Sequence, residues 1–151
     1  MLKALQNFFQ NNTAAEQVSL NKADGMTNDA FLSLVLMTEI SLADGKLSDD
    51  ERQHLLHELE NEYEIKGEQA ENAIKKAVTA VKEASSLHEF TSQLKALAYE
   101  KRVELLESLW VVAYADGELD PHEESMLRKL ADLLYIGHAD YIRTKLNVMD
   151  S

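Results

Sequence analysis

The sequence predicts an all-α protein, a bundle of about seven helices containing two copies of one helix–turn–helix unit. Only five Gly and one Pro punctuate 151 residues, too few for the frequent turns of a β-sandwich or barrel. Apolar residues recur at helical spacing in one segment after another. A shift of the chain by 72 positions lays Ala43-Asp44-Gly45-Lys46-Leu47 on Ala115-Asp116-Gly117-Glu118-Leu119. The same shift sets Glu51 on Glu123, Leu55 on Leu127 and Tyr63 on Tyr135.

Each element has its own signal. Residues 1–10 form an amphipathic segment with Leu2, Leu5, Phe8 and Phe9, too short and too polar for a secretion signal. Residues 11–27 are rich in Asn, Thr, Ser and Asp and read as linker or lid, with a helix cap possible at Thr13-Ala14-Ala15-Glu16. The division expected is therefore an N-terminal helix and linker over 1–26 and a helical domain over 27–151. Between 30 and 43 the run of Phe31, Leu32, Leu34, Val35, Leu36, Met37, Ile40 and Leu42 is apolar on nearly every side, as a central helix should be. Ser48 and Glu51 make a capping box that opens a helix with a Leu55, Leu56, Leu59, Tyr63 stripe. A helix over about 68–82 buries Ala70, Ala73, Ile74, Ala77, Val78 and Val81, and Ser86 with Glu89 begins another.

The second half repeats this grammar. Val103, Leu105, Leu106, Leu109, Trp110, Val111, Val112 and Tyr114 predict a second, nearly all-apolar helix. Asp120 at the N-cap, Pro121 at N1 and Glu123 at N3 open the next, with Leu127, Leu130, Ala131 and Leu134 as its stripe. A last helix over about 138–148 closes the bundle. Two such units hide their apolar faces best against each other, which predicts a pseudo-twofold packing. The turn glycines Gly45 and Gly117 should hold positive φ. A third Ala-Asp-Gly, at 23–25, lacks the apolar helix before it and the Glu after it and is not a repeat unit.

Composition narrows the functional classes. Fifteen Lys and Arg against 27 Asp and Glu leave a formal charge of -12, which repels phosphate backbones and anionic lipid surfaces. Nucleic acid is therefore not an expected partner, and membrane insertion is not expected because no apolar stretch approaches the roughly 20 residues of a spanning helix. A cytoplasmic location follows as the expectation. The absence of Cys excludes disulfides and thiolate metal sites.

Two blocks carry a family resemblance: Leu36-Met37-Thr38-Glu39-Ile40-Ser41-Leu42-Ala43-Asp44-Gly45 with Glu51, and Leu109-Trp110-Val111-Val112-Ala113-Tyr114-Ala115-Asp116-Gly117-Glu118-Leu119-Asp120-Pro121-His122-Glu123-Glu124. With Leu130-Ala131-Asp132-Leu133-Leu134, they resemble the TerB-like proteins named for bacterial tellurite resistance, in their stand-alone single-domain form. The pattern is also similar to the N-terminal domain of membrane-anchored J-domain co-chaperones. The resemblance spans about 30–148. It implies an all-helical fold, an acidic face, and a divalent-cation role in stress response without a known reaction.

The candidate metal ligands are Asp44, Glu51, Asp116 and Glu123, two carboxylates at each turn, together with Glu39. Carboxylates suit Ca²⁺, Mg²⁺ or Mn²⁺. The same residues also serve as caps and turn formers, so architecture competes with metal binding. The Ca²⁺-loop pattern of an EF-hand is not matched. Glu39 interrupts an apolar helix, and its repeat counterpart is Val111. If buried it needs a partner, with Arg128 and Arg102 as candidates. His54, His57 and Glu58 share one side of a helix but read as a solvated polar face, and Trp110 and Tyr114 read as core. No nucleophile, phosphate loop or nucleotide fingerprint occurs. The sequence thus predicts a non-catalytic module whose acidic surface binds divalent cations, or alternatively an adaptor or co-chaperone-like domain with structural turns and a protein partner.

Overall fold

The computed structural model describes residues 1–12, 23, 25–42, 46–83, 92, 94–115 and 117–150. Seven helices have defined bounds among them: α1 (Leu2–Asn12), α2 (Asn28–Ser41), α3 (Asp49–Tyr63), α4 (Glu68–Lys82), α5 (Tyr99–Ala113), α6 (Pro121–Leu133) and α7 (His138–Met149). Residues 94–96 add a short helical stretch, and no strand occurs among the described residues. The fold is all-α, as the sequence predicts. The caps expected at Thr13 and Ser86 lie outside the described residues, as does Gly45.

The helix starts follow from side chains that satisfy the first free backbone N–H groups. Thr27 accepts from the Ala30 amide at 3.3 Å. Ser48 accepts from the Glu51 amide at 3.1 Å while the Glu51 carboxylate accepts from the Ser48 amide at 3.1 Å, completing the expected capping box. Asp120 accepts from the His122 amide at 2.9 Å, with Pro121 as the first helical residue. The helix ends are equally local. Glu64 after α3 and Tyr135 after α6 adopt φ of 57° and 54°, which turns Ile65 and Ile136 back into the core, 3% and 6% exposed. Their amides bond to the carbonyls of Leu59 and Ala131 at 3.1 and 2.9 Å.

The order α2-α3-α4 recurs as α5-α6-α7, with the N-caps Ser48 and Asp120 in corresponding places. Packing repeats as well: α2 lies on α4 and α5 on α7, while α2 also meets α6 across the two units. Residues 30–38 of α2 are all buried. Two of its polar side chains bond back within the helix, Ser33 donating to the Asp29 carbonyl at 3.0 Å and Thr38 to that of Leu34 at 2.7 Å. The copy of this helix is less enclosed. In α5, Val103, Leu105, Leu106, Leu109, Trp110 and Ala113 are buried, but Val111 and Val112 are 55% and 39% exposed. The expectation of a helix apolar and buried nearly all round is corrected on that side. Trp110 is core, its ring 5.4 Å from that of Tyr141, while Tyr114 is half-buried.

The N-terminal helix belongs to the same core. Met1, Leu2 and Leu5 are buried, and α1 packs on α2, α3 and α5. Its start is fixed by charge: the Met1 amino group donates to Glu58 Oε2 at 3.1 Å and to Glu62. The Lys3 amide donates to Glu62 Oε2 at 2.9 Å and the Tyr63 hydroxyl to Gln6 Oε1 at 2.7 Å.

Gly117 has φ of +83°, with no atom within 4 Å of where a Cβ would sit. Gly117→Ala therefore carries backbone strain alone and should cost about 1 kcal/mol, seen as a fall of roughly 2–4 °C in the thermal midpoint. An unchanged midpoint would show that the turn relaxes.

Candidate functional site

The first turns of α3 and α6, equivalent in the two units, face each other across a cleft of about 230 Å³. One wall is Ser48, Asp50, Glu51 and His54, the other His122, Ser125, Met126 and Lys129. The 72-residue shift pairs Asp50 with His122 and His54 with Met126. Equivalent positions of the two copies thus line one cleft, as a twofold-like packing places them.

Beside this cleft three metal-ligating side chains converge, of which His54 also lines the cleft. Ligand atoms of His54, Asp120 and Glu123 all lie within 4.8 Å of one another. Asp120 and Glu123 meet because an N-cap and an N3 residue sit on the same side of a helix start. His54 is brought to them by the packing of the other unit. Its side chain is 8% exposed, and Nε2 is enclosed without a hydrogen bond. Burial pushes the imidazole pKa down, and the nearby Asp120 carboxylate partly counters this. Glu58 Oε1 stands 3.6 Å from Nε2. Burial raises the Glu58 pKa, opposed by the Met1 ammonium.

The sequence reading of His54 and Glu58 as a solvated face is corrected: their side chains are 8% and 9% exposed. Only His57 of that trio is exposed, paired with Asn61 at 2.7 Å. Positions 54 and 58 lie on the side of α3 that also carries the buried Leu55 and Leu59. The repeat held the signal for this. The counterparts of His54 and Glu58 are Met126 and Leu130, both buried, whereas the counterpart of His57 is Lys129.

The expected ligands separate. Glu123 joins the cluster, and Glu51 lines the cleft while its Oε1 serves the Ser48 amide. Asp44 and Asp116 lie outside the described residues. Glu39 sits apart, on a second cavity of about 470 Å³ with Ile40, Lys95, Asp132, Leu133 and Tyr135. Its Oε2 is buried without a hydrogen bond, and burial raises its pKa against the opposing pull of Lys95. The expected partners are not used. Arg102 donates to the carbonyls of Leu97 and Leu134 at 3.2 and 2.6 Å, and Arg128 is exposed on α6.

A helical repeat module with a polar cleft between its two units is the class that this architecture defines. The family model described as tellurite resistance protein TerB matches residues 30–146, most of the chain, and the protein belongs to that family. No match is found among curated proteins or solved structures. The match begins after α1, although α1 shares the core. No helix among the described residues is long and apolar enough to cross a membrane.

Glu39 yields a signed pH prediction. A carboxyl whose pKa rises on folding contributes stability below its unfolded value, near 4.5, and loses that contribution as pH rises through the folded value. Glu39→Gln removes the ionisable group. It should melt higher than the parent at pH 7, with the difference closing by about pH 4. A difference in thermal midpoint that is the same at both pH values would contradict this.

Proposed function

We propose that this TerB-family helical module binds a divalent cation in the cleft between α3 and α6. We read it as a non-catalytic component of a bacterial stress system of the tellurite-resistance type, acting in the cytoplasm. The observation that supports this is the convergence of His54 from one unit with Asp120 and Glu123 from the other. An ion held there would bridge the two copies. Asp120 uses Oδ1 for the His122 amide, and a carboxylate has further lone pairs to offer a cation. The chain's formal charge of -12 raises the local cation concentration. Asp44 and Asp116 stay candidate ligands on the family resemblance, with Ca²⁺, Mg²⁺ and Mn²⁺ as the ions that carboxylates suit.

The second reading, an adaptor or co-chaperone-like domain with a protein partner, draws on Val111 and Val112, apolar and exposed on α5. Val112 lines a groove between α1 and α5 together with Ala4, Phe8 and Ser108. Cation dependence separates the two readings.

Calorimetric titration of chelator-stripped protein with Ca²⁺, Mg²⁺, Mn²⁺ and Zn²⁺ tests the proposal. Saturable binding at or below about 10 µM is expected for at least one ion. It should be lost in the double variant Asp120→Asn, Glu123→Gln, which retains capping side chains at both positions. No saturable heat with any ion would reject cation binding and favour the adaptor.

A further inference from the structure

This inference rests on the cation reading and names the ion's class. We infer that the side-chain cluster at the edge of the cleft is a mixed nitrogen–oxygen site for a borderline transition-metal ion of the Zn²⁺ type. His54, Asp120 and Glu123 are its ligands, and Glu58 positions the imidazole.

The His54 ring lies in the protein interior, 8% exposed, yet its Nε2 makes no hydrogen bond. Glu58 Oε1, 3.6 Å away, is beyond hydrogen-bond reach of that nitrogen, and a buried ring left in this state calls for an explanation. The ring lines the cleft and brings a ligand atom within 4.8 Å of carboxylate oxygens from the opposite unit. Ligands about 2.0–2.2 Å from one Zn²⁺ lie roughly 3.4 Å apart, so side-chain adjustments on the order of 1 Å complete the set.

The neighbouring Glu58 points the same way. A metal-bound histidine hands its other N–H to a carboxylate, which fixes the tautomer and the ring's orientation. Glu58 Oε1 stands 3.6 Å from His54 Nε2, and Glu58 is itself held by the Met1 amino group at 3.1 Å. With Nε2–H turned to Glu58, Nδ1 carries the lone pair for the metal. Chemistry then selects the ion. Ca²⁺ takes six to eight oxygens, whereas this site offers two carboxylates and one imidazole, a donor that suits Zn²⁺ and its neighbours.

The second unit cannot build the same site. It carries Met126 where the first has His54, and Leu130 where the first has Glu58. Among the described residues the site therefore occurs once.

The test is competition titration of the chelator-stripped full chain with Zn²⁺ and with Ca²⁺, on the parent, His54→Gln, Glu58→Gln and the Asp120→Asn, Glu123→Gln pair. One Zn²⁺ per chain is expected, bound at least about 100-fold more tightly than Ca²⁺. His54→Gln should weaken Zn²⁺ by more than about tenfold and leave Ca²⁺ unchanged, and Glu58→Gln should cost about 10–100-fold. If His54→Gln fails to fold, long-range ¹H–¹⁵N spectra of the parent carry the test. The His54 ring nitrogens should shift on addition of one equivalent of Zn²⁺. Tighter binding of Ca²⁺, or Zn²⁺ binding with His54 unperturbed, overturns the inference while the cation reading stands. Failure of every ion to bind overturns both.

Discussion

The structure depends on enclosing α2. Residues 30–38 are buried on every side of that helix, and each large apolar side chain gains about 1.5–3 kcal/mol by leaving water. No single neighbour can cover such a helix. The chain surrounds it with α1, α4 and α6, so elements from both units and from the N-terminus contribute to one core. Ser33 and Thr38 fit because their hydroxyls bond back to carbonyls of the same helix, removing the cost of burying an unpaired polar group.

That requirement decides where chemistry can sit. The central helices are committed to packing, so the polar functional groups fall on the amphipathic helices that follow them. The starts of α3 and α6 carry capping acids, and the packing of the two units makes them share a cleft. Duplication supplies the matching walls, and divergence supplies the asymmetry. Where the second unit has Met126 and Leu130 in the core, the first has His54 and Glu58, buried and electrostatically linked to one another and to the Met1 amino group. Polar residues in positions that the repeat marks as apolar need a compensating reason, and a ligand is one.

The fold was largely legible because its signals are local. Helix caps and apolar periodicity depend on neighbours within one or two helical turns, and among the described residues Ser48, Asp120 and Gly117 behave as the sequence indicates. The candidate site was only partly legible, because it depends on contacts between units. Glu123 was recognisable as an acid at a repeated turn, but nothing within α3 alone says that His54 faces it. Solvation was misjudged for the same reason. His54 and Glu58 look like surface residues until their apolar counterparts in the second unit are consulted. The surroundings of Glu39 could not be ranked from sequence because they depend on contacts between distant segments: Lys95 exerts only an electrostatic pull on it, while Arg102 serves the carbonyls of Leu97 and Leu134.

The central claim is that the junction of the two units is a place for one cation. The most direct measurement is an anomalous difference map from crystals grown with one equivalent of Zn²⁺ and recorded on either side of the zinc absorption edge. The account predicts a single strong peak per chain, between His54, Asp120 and Glu123, with Glu58 against the far side of the ring. An empty cleft with the strongest peak elsewhere on the chain would contradict it.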